Sequence, residues 1–347
     1  MPHRNIPIFI PHLGCPNQCV FCNQRSISGC REFLEDHVGK DIAHALSTIP
    51  EGVETEIAFF GGSFTGIDRG LMIRLLDTAQ SFVQAGRVSS IRLSTRPDYI
   101  NNEILDILSR YSVKVIELGL QSMDNDVLKC TRRGHTKEQA RDACRAVKAT
   151  GFDLVGQMMI GLPGAMLESE LATAREIVEL GADAARIYPT VVFYDTPLCE
   201  MTQKGEYEPL SLEEAVRRSA AVLGIFEEAE IPCIRIGLCA TEELASPEKV
   251  LAGPNHPALG ELVWNEFYYQ KLLRAVKQSL LRGGKAILHL PERKISKVVG
   301  QHRCNIERLM RETDVRICKI VGEKHLREVL VEQWQASQNQ EEEQPCI

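Results

Sequence analysis

No stretch of this 347-residue chain is apolar over the length that a membrane-spanning helix requires, so a helical membrane protein is not expected. The opening residues, MPHRNIPIFIPHLGCP, contain a short apolar run. They lack the small-residue cleavage site of a signal peptide and lead straight into cysteines. There is no overall excess of positive charge. The formal net charge is −7, which leaves no global footprint of nucleic-acid binding and only room for a local basic patch. Nor is there a second tight cluster of cysteines. Beyond Cys15, Cys19 and Cys22 the cysteines are scattered, as Cys30, Cys130, Cys144, Cys199, Cys233, Cys239, Cys304, Cys318 and Cys346. No C-x-x-C pair occurs among these, so a further cluster or zinc site is not expected, although Cys30 follows Cys22 closely enough to leave an auxiliary role open. These absences describe a cytoplasmic protein with reduced thiols and no membrane partner.

What is present is a regular alternation. Runs rich in β-formers lie at 6–10, 56–60, 91–94, 113–118, 154–160 and 184–188, and helix-like stretches fall near 36–48, 69–84, 101–109, 136–149 and 165–179. A repeat of roughly 30 residues per strand–helix unit argues for a parallel sheet covered by helices. Six units are too few to close an eight-stranded barrel, so the expected fold is α/β, a partial (β/α)6 barrel. Its chemistry should sit at the C-terminal ends of the strands. Gly61, Gly62, Arg96, Gln121, Gln157 and Tyr188 fall there. Further on come an amphipathic helix near 211–230, a short strand at 234–237, a Gly/Pro/His-rich loop at 251–262 and a helix at 264–282. A small C-terminal α/β module follows. The expected division is 1–205 barrel, 206–282 extension, 283–334 basic module and 335–347 a polar, disordered tail.

The stretch GCPNQCVFCNQ spaces Cys15, Cys19 and Cys22 as C-x3-C-x2-C. Three thiolates in one loop hold three irons of a [4Fe–4S] cubane and leave the fourth open to a small ligand. A structural zinc site would require a fourth ligand, which His12 could supply.

The string of motifs around these cysteines resembles the radical S-adenosylmethionine (SAM) superfamily. It is similar in particular to bacterial relatives of the Elongator catalytic subunit, which modifies the wobble uridine of tRNA. The matching segments are FFGGSFTGI (59–67), STRPDYI (94–100), ELGLQSMDNDVL (117–128), RRGHT (132–136), MMIGLPG (158–164) and IYPTVVFYDTPL (187–198). A more distant likeness is to the oxygen-independent coproporphyrinogen oxidases. The resemblance implies a radical SAM barrel, a [4Fe–4S] cluster and SAM as cofactors, and reductive cleavage of SAM to a 5′-deoxyadenosyl radical. It also implies an electron donor of flavodoxin or ferredoxin type.

Placed on this chain, the resemblance puts Phe21 near the adenine and Gly61–Gly62 at the SAM ammonium. Gln121 falls at the ribose or methionine part, and Arg133 at the carboxylate, which a guanidinium suits. Ser94 and Arg96 stand where some relatives carry an acidic ribose contact, and Gln157 where relatives have histidine or aspartate. Tight turns and rim hydrogen bonds would favour several of these residue types as well. The residues after 240 are too few for the acetyltransferase-like domain of the Elongator enzyme, so its carboxymethyl product is not carried over.

Residues 286–320 resemble the core of a KH RNA-binding domain. Gly300 is in place, but Arg303 stands at the second glycine of the G-x-x-G loop that clamps an RNA backbone. Between Arg282 and Val331, 12 Lys and Arg face 6 Asp and Glu, a local net charge of +6. Lys294, Lys297, Gly300 and Arg303 are the candidate RNA contacts. Two enzyme readings compete: modification of RNA, above all tRNA, and action on a small metabolite as in the porphyrinogen branch. A metal-binding RNA-binding protein without activity is the non-enzymatic alternative.

Overall fold

The computed structural model describes residues 3–10, 13–15, 19–23, 33–50, 52–238, 246–279, 281 and 284–334. His12, Cys30, Cys239, Cys346 and the tail expected at 335–347 lie outside the described residues. The chain divides into two units, Met1–Leu259 and Gly260–Ile347.

The first unit is a curled half-barrel. Its sheet has seven strands in the order β1 (His3–Ile10), β2 (Glu54–Gly61), β3 (Ser90–Thr95), β4 (Val113–Gln121), β5 (Asp153–Ile160), β6 (Ala184–Pro189) and then β8 (Cys233–Ile236). Every neighbouring pair is parallel. Parallel neighbours require crossovers, supplied here by α1 (Val38–Thr48), α2 (Arg69–Gln84), α3 (Asn102–Leu108), α4 (Asn125–Cys130), α5 (Lys137–Ala149) and α6 (Leu167–Glu179). Helix starts are set locally: Asp68 caps α2 through the Leu71 amide, and Thr136 closes a capping box with Gln139 on α5.

The seventh strand, recognised in sequence as a short strand but not as part of the barrel, extends the sheet past the expected six. It follows α7 (Pro197–Gln203) and α8 (Leu212–Glu228), the latter burying Leu223 and Phe226. The expected loop at 251–262 is only partly a loop. Val250–Ala252 forms β9, paired antiparallel with β7 (Val192–Phe193), and helix α9 (Leu259–Gln278) starts five residues or so before the sequence reading placed it.

Strands covered on both faces should read as almost unbroken apolar runs. Those here are interrupted by Glu56, Arg92, Glu117, Gln157 and Arg186, all buried or nearly so. These interruptions define the polar side of the sheet.

The second unit carries α9, then β10 (Gly284–Pro291), α10 (Ile295–Val299), α11 (Cys304–Glu312), β11 (Val315–Glu323) and β12 (Leu330–Gln333). Its three strands run in the order β11-β10-β12, parallel on one side of β10 and antiparallel on the other.

Candidate active site

The three cysteines sit in the loop after β1. Val20 pins this loop from both sides: its N–H donates to the Thr131 carbonyl at 3.1 Å, and its carbonyl accepts from the Leu198 N–H at 2.9 Å. The Cys22 N–H closes a turn onto the Cys19 carbonyl at 3.1 Å. Cys19 is buried in an apolar cluster with Val20, Phe21, Val127, Leu162 and Leu198, while Cys15 and Cys22 are partly exposed.

The Gly61–Gly62 pair explains how this loop is seated. Gly61 has φ +110°, and a Cβ there would lie 2.7 Å from the Ile10 carbonyl oxygen. A Cβ on Gly62 would lie 2.1 Å from the Leu13 carbonyl oxygen. Both glycines are therefore required by the close approach of the strand and loop that lead into Cys15. Gly61 also borders the cavity described next.

That cavity, about 560 Å³, opens inside the half-barrel. Phe21, Cys22, Gly61, Ser94, Gln121 and Gln157 all line it, so the fold brings six of the sequence-predicted residues together. Gln121 ends β4 at a register shift, with φ 65°. A non-glycine residue in this region is strained, and such strain gathers at functional sites. Its Oε1 is buried without a hydrogen-bond partner. Gln157 donates from Nε2 to Glu117 at 2.7 Å and, weakly, to Ser94 Oγ at 3.4 Å.

Arg96, Arg133 and Gly62 stand behind the cavity wall. Arg133 Nη1 points at Cys19 Sγ at 3.3 Å, its Nη2 donates to the Gly119 carbonyl at 2.6 Å, and its Nε is buried and unpartnered. Arg96 is 2% exposed. It bridges to Asp98 at 2.8 Å and donates to the Arg133 carbonyl at 2.6 Å, with its Nη1 3.9 Å from Cys19 Sγ. Arg96 thus holds Arg133 and leans on the cysteine, and it does not face the cavity as expected for a ribose contact. His135 packs into the same layer. Burial, then Arg133, pushes its pKa down to about 3 despite Asp98 Oδ1 at 3.9 Å, so the imidazole is neutral. Asp98 is already engaged by Arg96, which is why the nearby carboxylate does not win.

Sequence reasoning missed the charged belt at the inner end of the cavity. Glu117 is fully buried and accepts from Arg92 at 3.0 Å, Arg186 at 2.7 Å and Gln157 at 2.7 Å. Arg92 also bridges to Glu56 at 2.8 Å, and Ser90 donates to Glu56 at 2.6 Å. Burial would raise the Glu56 carboxyl, but the Ser90 hydroxyl and Arg92 hold it below its ordinary range. The signal was available: a charged residue inside an apolar parallel strand has to face a partner.

Among the described residues, no three His, Cys, Asp or Glu side chains converge as ligands of a single metal ion. A cubane, whose irons occupy separate corners, takes its thiolates at wider spacing. Cys22 on the lining of a cavity of ligand-binding size, with Cys15 and Cys19 in the same loop and the unpartnered Gln121 Oε1 on the cavity wall, fits a cluster with a small polar ligand.

Comparison with known proteins decides the family. Residues 9–177 match the model of the radical SAM superfamily, and residues 182–269 match the radical SAM C-terminal domain. The chain belongs to the radical SAM superfamily. It is 29% identical over 181 residues to the tRNA uridine(34) acetyltransferase of Methanocaldococcus jannaschii, covering 46% of this chain and 34% of that one. It is 33% identical over 206 residues to human Elongator complex protein 3, covering 54% of this chain and 37% of the relative. The chain thus spans little more than a third of the length of either. In fold it is similar to the archaeal Elp3 of Methanocaldococcus infernus, with a TM-score of 0.58 at 21% identity, covering 80% of this chain and 64% of that one.

As a member of this superfamily the protein is an enzyme, and its cofactors are a [4Fe–4S] cluster and SAM. Radical SAM enzymes also require a reductant. No helix among the described residues is long and apolar enough to cross a membrane.

Proposed function

We propose that this radical SAM enzyme modifies RNA, with tRNA as its substrate, and that Cys15, Cys19 and Cys22 ligate its cluster. The observation that carries the substrate reading is the similarity of the barrel to relatives named for tRNA uridine(34) and for Elongator complex protein 3. When bound, cluster and SAM supply a 5′-deoxyadenosyl radical that abstracts a hydrogen atom. The chain's own residues place and enclose that chemistry. Phe21 offers a ring to the adenine, and Gly61 lets backbone approach the ammonium. Gln121 presents an acceptor, Ser94 and Gln157 present polar atoms to the ribose, and Arg133, behind the cavity wall with Nη1 at Cys19 and Nη2 on the Gly119 carbonyl, keeps the carboxylate role of the family pattern through its unpartnered Nε. Arg96 is a positioning residue that acts through Arg133. A flavodoxin or ferredoxin would deliver the electron.

Support for RNA also comes from the second unit. Lys294, Lys297 and Arg303 are exposed beside Gly300. The Lys297 ammonium lies 5.3 Å over the Trp264 ring. That stacking orders a charge at the surface. Arg303 adopts φ 61° and His302 φ 51°. This loop therefore has the backbone shape for which a glycine would be favoured at 303, which accounts for the KH-like pattern despite the arginine.

The test begins with anaerobic reconstitution by iron and sulfide, followed by dithionite and SAM. 5′-Deoxyadenosine is expected from the wild type and none from Cys19→Ala. Bulk tRNA should raise the yield and acquire a modified nucleoside visible by mass spectrometry. Lys294→Glu, Lys297→Glu and Arg303→Glu together should weaken tRNA binding. Unchanged affinity for tRNA in that triple variant would remove the second unit from the RNA reading.

A further inference from the structure

The inner end of the cavity holds more positive charge than its own carboxylates neutralise. Three arginines, Arg92, Arg186 and Arg235, meet two carboxylates, Glu56 and Glu117. Glu117 is already shared between Arg92 and Arg186. Arg235 lines the cavity from the edge strand β8, and no carboxylate among the described residues pairs with it. Arg186 and Arg235 stand directly opposite one another in register on β6 and β8 and share the cavity face. Like charges side by side on neighbouring strands are unfavourable. Arg186 is buried, and its Nε has no hydrogen-bond partner. Tyr188, whose hydroxyl is 3.5 Å from Arg186 Nη1, adds a neutral donor to the same corner, its phenol being held protonated by burial.

From this we infer that the corner formed by Arg186, Tyr188 and Arg235 binds an anionic group of the molecule that reacts in the barrel. The inference rests on the reading that the substrate enters this cavity, and it adds the chemistry by which the substrate is held. The group is a phosphate or a carboxylate. A planar fork of N–H donors suits either, and a low-dielectric wall strengthens the contact. The corner lies on β6 and β8, away from the cysteine loop, and meets the residues assigned to SAM only at Gln157, which neighbours Arg186 in register and shares Glu117 with it. Arg235, on the edge strand and farthest from those residues in strand order, is the part of the corner assigned to the substrate. The source of the anion separates the two enzyme readings: a nucleotide carries phosphate, and a small metabolic acid carries carboxylate.

Calorimetric titration of the reconstituted, SAM-loaded enzyme with matched probes tests the inference. Uridine 5′-monophosphate is compared with uridine, and succinate with succinamide. In at least one pair the anion should bind at least tenfold more tightly than its neutral partner. Arg235→Gln should erase that preference, and Arg235→Lys should restore part of it. A preference for the phosphate pair supports the inference with an RNA substrate. A preference confined to the carboxylate pair supports it while counting against RNA. Equal binding within both pairs, no binding by any probe, or a preference that survives Arg235→Gln overturns it. Iron content and SAM binding are measured on the same samples. Their retention shows that a negative result strikes the anion corner and leaves the radical SAM assignment standing.

Discussion

The two units of this chain handle charge in opposite ways. In the half-barrel, arginines and carboxylates are buried inside strands and locked to one another, as in the Glu117 junction with Arg92, Arg186 and Gln157. In the second unit, Lys294, Lys297 and Arg303 stand at the surface around a turn. Buried charges are held by desolvation, so each partner is costly to remove and the geometry is fixed. Surface charges cost little to move and act mainly through their field. Substitutions should therefore be felt as stability in the barrel and as affinity in the module.

The sharpest break of that comparison is Glu117→Ala. It leaves Arg92 without one of its two carboxylates and Arg186 without the one ion-pair partner it has among the described residues, both in a buried layer. Removing one member of a buried ion pair costs about 3–5 kcal/mol. Urea denaturation should show a loss of this size, whereas Lys294→Ala should stay within roughly 0.5 kcal/mol of wild type. Comparable losses for the two variants would end the distinction. Glu117→Gln, which keeps the shape and one acceptor, should fall between them.

How much of this could be read beforehand follows from the range of the interactions. The C-x3-C-x2-C loop, the six strands and the helices between them are local patterns, and they were legible to within a few residues. The cavity residue Gln121 was legible because it ends a strand, whereas Gln157 lies in the middle of β5 and stands out as a polar residue in an apolar run. The Glu117 junction was not, since it joins positions 92, 117, 157 and 186, which meet only once strand order is known. The direction of Arg96 was lost for a similar reason. Its partners, Asp98, the Arg133 carbonyl and Cys19, come from three segments and draw it behind the wall. Gly61 and Gly62 were singled out for a binding role or a tight turn. The packing that requires them, against Ile10 and Leu13, depends on the β1–β2 pairing.

A pH experiment probes the same barrel layer with a smaller effect. His135 titrates near its ordinary value of 6.5 when unfolded and at about 3 when folded, so the unfolded chain binds the extra proton between those values. Its contribution to stability is complete above pH 6.5 and is lost as pH falls toward 3. The slope is at most about 1.4 kcal/mol per pH unit. The groups facing it are Arg133, Arg96 and Asp98. Wild type minus His135→Phe, followed by denaturation from pH 7 to pH 4, should isolate this slope. Parallel profiles for the two proteins would mean that the imidazole is protonated in the folded state.

The smallest effect comes from the surface loop, where backbone shape and charge can be separated. Arg303 holds φ 61°, a region in which a side chain is strained and glycine is not. Arg303→Gly relieves a left-handed backbone that costs a side chain about 1–2 kcal/mol and gives back part of that as unfolded-chain entropy, so it should stabilise the second unit by up to about 1 kcal/mol. If the loop serves RNA through its field, the same variant should bind tRNA more weakly, with a salt dependence reduced by about one phosphate contact. If it serves through close backbone approach, as a G-x-x-G loop does, the glycine should bind tRNA as well as or better than wild type. Stability and affinity then move in opposite directions in the first case and together in the second. One variant, measured both ways, tells whether this module grips RNA by charge or by backbone.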